Sequence, residues 1–197
     1  MRGVRALFLF LAIGLLACGD DQGVGKVVGF LHVPVCDEGA PLDVTCMPEV
    51  PPEDCNAFDL RADFFALEPY GNSALLRIQR GGRILALTDA LVLEIRDYRL
   101  LRGNLGRPLP VGPDQNVRAA LGLFHLCPDS TQPYAIHGIV RFEAFGVSQG
   151  EQVTGIIDRL EVRDGRAQGG AAQLLGILHG DFDFTVRKGP PYQPFAD

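Results

Sequence analysis

Apolar and polar residues alternate along most of this chain with a period of two. In Ala74-Leu75-Leu76-Arg77-Ile78-Gln79, residues Ala74, Leu76 and Ile78 share one face, and Arg77 and Gln79 the other. Such alternation marks a half-buried β-strand. Gly81-Gly82 supplies the positive φ of a tight hairpin, and residues 83–87 read as the returning strand. Leu91, Leu93 and Ile95 alternate with Glu94 and Arg96. Val117, Ala119, Leu121 and Leu123 share a face, and Val140, Phe142 and Ala144 alternate with Arg141 and Glu143. Ile156, Leu160 and Val162 stand opposite Arg159, Glu161 and Arg163, with Asp164-Gly165 as the turn that follows. In the last strand, 178–186, Phe182 and Phe184 alternate with Asp181 and Asp183. Short strands between Gly, Asp and Pro punctuation predict an all-β fold: an antiparallel β-sandwich, with a closed β-barrel as the alternative. The expected core is Leu76, Ile78, Leu93, Ile95, Leu121, Leu123, Val140, Phe142, Leu160, Phe182 and Phe184. Beyond the N-terminal segment no stretch shows helical periodicity. Residues 166–176 are Ala-rich, but each of Gly169 and Gly170 costs a helix about 1 kcal/mol relative to Ala. That stretch reads as a loop.

Size and composition fit a single packed domain. The chain has 197 residues, of which 47% are apolar and 21% charged, which excludes a wholly disordered chain and a polytopic membrane protein. Its net charge is −6, and nucleic acid, which needs a positive footprint, is not an expected partner.

The N-terminus carries the strongest signal. Arg2 and Arg5 precede an unbroken apolar run, residues 6–17. That run is too short to span a bilayer as a helix, which takes about 20 residues, but it fits the apolar region of a secretory signal. The stretch Leu15-Leu16-Ala17-Cys18 resembles a bacterial lipobox. The resemblance implies a cleavable signal helix over 1–17, diacylglycerol on the Cys18 sulfur and acylation of its new amine. Gly19, rather than an aspartate, follows the cysteine. By the same resemblance this implies the outer membrane, at its periplasmic face or at the cell surface. Residues 18–26 then read as the lipidated cysteine and a flexible tether, and 27–197 as one β-domain.

Four further cysteines, Cys36, Cys46, Cys55 and Cys127, are an even number for an oxidising compartment and suggest two disulfides. Three connectivities are open, with Cys36–Cys46 and Cys55–Cys127 preferred. No Cys-x2-Cys knuckle is present to favour zinc. The segment 36–56 is rich in proline and acid, and reads as a solvated, disulfide-stapled loop. Its spacing matches no EF-hand. No metal or other cofactor is expected.

A Gly-apolar theme recurs in Gly138-Ile139-Val140, Gly155-Ile156-Ile157 and Gly176-Ile177-Leu178, where small residues permit bulges or close contacts. With Cys127-Pro128 and the Pro-rich tail at 190–195, the chain resembles small all-β envelope lipoproteins of Gram-negative bacteria. That resemblance brings no activity with it. It implies partners in the membrane, through the N-terminal lipid, and in an envelope protein or polysaccharide. The absence of Trp argues against sugar-stacking platforms. Arginines crowd residues 77–107, and Arg77, Arg96 and Arg99 are a candidate anion patch, against the simpler reading of strands kept soluble by charge. Gly146-Val147-Ser148-Gln149-Gly150 matches the Gly-x-Ser-x-Gly hydrolase motif, with Asp158, Asp164 and His179 downstream. The residues after it alternate like a strand, whereas the nucleophile elbow requires a helix there. It reads as a hairpin loop. His179, Asp181 and Asp183 share one strand face and form the only other polar constellation. The expected function is therefore a lipid-anchored envelope protein with a non-catalytic β-domain in a structural or binding role. The alternative is a serine or metal-assisted envelope hydrolase using Ser148, His179 or Asp181.

Overall fold

The computed structural model describes residues 23–32, 57–80, 88–124, 133–166 and 172–187. Cys18, Cys36, Cys46, Cys55, Cys127, the segment 1–17, the loop 36–56 and the stretch 81–87 lie outside them. In chain order the elements are β1 (Gly23–Leu31), β2 (Ala57–Arg61), β3 (Phe64–Tyr70), β4 (Ser73–Arg80), β5 (Asp89–Ile95), α1 (Tyr98–Arg102), β6 (Pro108–Val111), β7 (Val117–Leu123), β8 (Tyr134–Phe145), β9 (Gln152–Asp164) and β10 (Leu174–Thr185). The strands form one sheet in the order β2-β1-β10-β9-β8-β6-β7-β5-β4-β3, curled into a half-barrel. The fold is all-β, as the alternation predicts. It is a single curled sheet rather than two separate ones. It is also mixed, because β6 and β7 are parallel through the single pair Val111 and Val117.

Two stretches of chain change partners at corners, a device that lets one strand serve two sheet halves. Residues 57–70 pair first with β1 and then with β4. At the bend, the Ala62 N–H donates to the Gly25 carbonyl at 3.0 Å and the Asp63 N–H to the Gln79 carbonyl at 3.0 Å. The two ends of the sheet are thus carried by one continuous stretch. Phe65 on β3 stacks on Phe184 of β10 at 5.0 Å across that seam. Residues 108–123 do the same between β8 and β5.

The concave face is filled. Every expected core residue is buried except Leu121, which packs partly buried against the rest. Phe142 sits centrally, 5.3 Å from the Phe145 ring and 5.7 Å from the Phe182 ring.

The expectation that Ile156 shares the buried face with Leu160 and Val162 fails. Ile157 is 1% exposed and Ile156 37%. Between the pairs Ile157–Gly180 and Leu160–Leu178, two residues of β9 oppose the single His179 of β10. Such a bulge inverts the alternation on one side of it. A second bulge at Glu143 likewise places Phe145, not Ala144, inside. Ile157→Ala is expected to lower stability by about 2–4 kcal/mol, and Ile156→Ala by about 0.5 kcal/mol or less. Urea midpoints of the two variants check this, and comparable losses would refute the inverted phase.

The N-terminal strand and a short helix also depart from what alternation predicts. β1 begins at Gly23, so 23–26 are strand rather than tether. Those glycines permit close approach: a Cβ on Gly23 would lie 2.3 Å from the Phe184 Cβ, and one on Gly25 2.9 Å from the Phe65 ring. The short helix α1 has no counterpart in the sequence reading. Asp97 caps it, accepting from the N–H groups of Arg99 at 2.9 Å and Leu100 at 3.2 Å. Gly103 follows its last residue, and Leu101 is fully buried in the core.

Candidate functional site

The residues of the hydrolase alternative are not brought together. Ser148 lies on the β8–β9 hairpin, level with Val186, which bonds Gly150 and Glu151. His179 is seven residues up β10 from Val186, roughly 23 Å at strand rise. The His179 Nδ1 donates to the Asp158 carbonyl at 2.5 Å. Asp181 pairs with Lys26 at 3.6 Å. Asp183 accepts from Gln152 and, at 3.1 Å, from the Thr154 hydroxyl. Asp158 is bound to Arg141 at 3.2 Å, and Asp164 to Arg166 at 3.1 Å. The outer face of β10 is thus a ladder of local polar contacts. Among the described residues no group of three metal-ligating side chains converges.

Nor do the three candidate arginines form one patch. Arg77 is on the outer face of β4 yet only 2% exposed. Its guanidinium donates to Glu68 at 2.9 Å and lies 5.9 Å from the Phe64 ring centre. Burial raises the Glu68 carboxyl above its usual range, and Arg77 offsets part of that rise. Arg77 pairs with Val92, four residues before Arg96, a separation of about 13 Å along the strand. Arg96 and Arg99, by contrast, are exposed and adjoin one end of the half-barrel.

Several distant segments meet at that end. The start of β1 meets it, because Gly23 pairs with Phe184. The β8–β9 hairpin is stitched there, Gly150 N–H to Val186 carbonyl and Val186 N–H to Glu151 carbonyl, both at 2.8 Å. Segment 96–107 closes it. Arg102 donates to the Phe145 carbonyl at 2.9 Å, and the Tyr98 N–H donates to the Asn72 carbonyl at 2.9 Å. Leu101 points into the core, while Leu100 and Leu105 remain 56% and 38% exposed. Alternation could not reveal this cap, because its five residues make little more than one helical turn, too few for a helical period to repeat. The only sequence signal is Asp97 before, and Gly103 after, a five-residue run.

The hairpin has a built-in acid sensitivity. The Ser148 and Val147 N–H groups donate to Glu151 Oε2 at 2.8 and 2.7 Å, and hold its carboxyl below the usual range. A carboxyl lowered by folding contributes stability above its unfolded pKa, and loses it as pH falls through the lowered value. Acidification is therefore expected to lower the protection of the Val147 and Ser148 amides, measured against the intrinsic exchange rate at each pH, and Glu151→Gln to remove that dependence. The same acid response in Glu151→Gln would sink the assignment.

Among the described residues, no helix is long and apolar enough to cross a membrane. No protein-family model, curated protein or solved structure matches the chain.

Proposed function

We propose that this is a lipid-anchored protein of the bacterial cell envelope, held by Cys18 in the outer membrane. Its β-domain acts through its surface, in a structural or binding role without catalysis. The observation that carries this reading is the N-terminal sequence: Arg2 and Arg5, the apolar run 6–17, and Leu15-Leu16-Ala17-Cys18. The fold is compatible with it, because β1 starts five residues after that cysteine. A lipid at Cys18 would need to supply only attachment, since the domain has its own filled core. Three acyl chains exceed the two membrane signals that stable anchoring requires. An envelope protein or polysaccharide is the partner class this location implies. The distance of Ser148 from His179, about 23 Å along β10, favours this reading over a serine hydrolase.

The test is Cys18→Ala in the native host. The precursor should remain uncleaved at Ala17, take up no labelled palmitate and leave the membrane-lipid fraction of mature protein empty. Normal maturation with palmitate incorporation in that variant would end the proposal.

A further inference from the structure

We infer that the end of the half-barrel closed by segment 96–107 is a membrane-docking face, set against the phospholipid leaflet that holds the anchor. The inference rests on lipidation of Cys18. From Cys18 to Gly23 there are five residue steps, which reach at most about 18 Å when fully extended. β9 alone is 13 residues long, about 40 Å from one end to the other. An anchor on so short a lead therefore holds the Gly23 end against the bilayer and keeps the opposite end away.

The chemistry of that end suits a lipid surface. Segment 96–107 contains four arginines and one acid. The acid, Asp97, is engaged in capping α1. The other carboxylates nearby are partnered: Glu151 by the hairpin amides and Arg102, Glu143 by Arg141, Glu94 by Arg118. Exposed Asp114 follows Pro113, whose carbonyl accepts from Arg96 at 3.1 Å. Arg99 and Arg107 are exposed and have no carboxylate partner among the described residues. They flank Leu100 and Leu105, two large apolar side chains left exposed to solvent. Exposed leucines between uncompensated arginines match the two demands of an interface: apolar tips for the acyl boundary and cations for lipid phosphates. Against an anionic leaflet each such arginine contributes about fivefold to the ratio of docked to undocked protein.

The chain has no Trp, so a single introduced one reports alone. Mature lipidated protein carrying Leu100→Trp, Leu105→Trp or, as a wall control, Ile139→Trp is reconstituted in vesicles. These contain three parts phosphatidylethanolamine to one part phosphatidylglycerol, with brominated acyl chains as quencher. Quenching is expected at positions 100 and 105 and not at 139, which is exposed on the outer face of β8. Arg99→Ala and Arg107→Ala should each lower the docked ratio about fivefold. Equal quenching at all three positions, or none at 100 and 105, overturns the docking face while leaving the anchor intact. Mass spectrometry of the mature N-terminus separates the two readings: an unmodified Cys18 overturns the anchor and the docking face together.

Discussion

Phe142→Ala is expected to cost about 4 kcal/mol, a large share of the stability of a domain this size. Phe142 is fully buried at the centre of the concave face. Its ring meets Phe145 and Phe182 edge-on at 5.3 and 5.7 Å, and such aromatic pairs add about 1 kcal/mol beyond the area they bury. The cavity left behind cannot easily collapse. Phe142 pairs with Gly155 in the β8–β9 ladder, and the Phe182 ring already lies over that glycine, 2.4 Å from where a Cβ would stand. The neighbouring backbone is fixed on both sides by hydrogen-bonded strands. Phe124→Ala removes the same side chain from a site 39% exposed, and is expected to cost about 1 kcal/mol or less. Urea unfolding at unchanged m-value compares them. A loss below about 1 kcal/mol for Phe142→Ala would mean that the ring is not the packing centre described.

The strands were legible because one of their faces is buried. Leu76 and Ile78, Leu91 and Leu93, Phe182 and Phe184 all sit where strict alternation places them. Alternation is a local quantity, however, and it fails wherever the ladder gains a residue. Ile156 and Ile157 are both isoleucine, so hydrophobicity could not say which faces inward. The answer lies in the register with β10, two residues against one. The architecture was illegible for a related reason. A sandwich and a barrel impose the same period of two, and differ only in whether strands turn corners. Here they turn at Ala62-Asp63 and at 112–116, neither of which carries a composition that distinguishes a corner from a loop.

The candidate chemistry divides in the same way. The hairpin reading of Ser148 followed from what comes after it and agrees with the β8–β9 turn. Arg77 and Arg96 are close in sequence and both lie in a basic stretch, but only their strand positions show that one is buried against Glu68 while the other is exposed. The end face was missed because its parts come from distant segments: Gly23, Asn72, Tyr98, Phe145 and Val186.

The recurring glycines supply the last expectation, that Gly138→Ala lowers stability by about 3 kcal/mol. Gly138 pairs with Leu160, immediately beside the β9 bulge. A Cβ there would fall 1.9 Å from the Arg159 carbonyl oxygen and 2.9 Å from the Leu160 Cα. Both obstacles are backbone, and that backbone is held by the ladders on either side of β9. Relief would require β8 and β9 to separate, which breaks pairing within the six-strand run β2-β1-β10-β9-β8-β6. Gly71 provides the contrast. It turns the β3–β4 hairpin at φ +60 with nothing within 4 Å of its missing Cβ. Gly71→Ala should therefore cost only the backbone preference, about 1 kcal/mol. Thermal and urea unfolding of the two alanine variants, side by side, measure the difference. If Gly71→Ala proved the more damaging, the close approach at Gly138 would not be the constraint that selects glycine there.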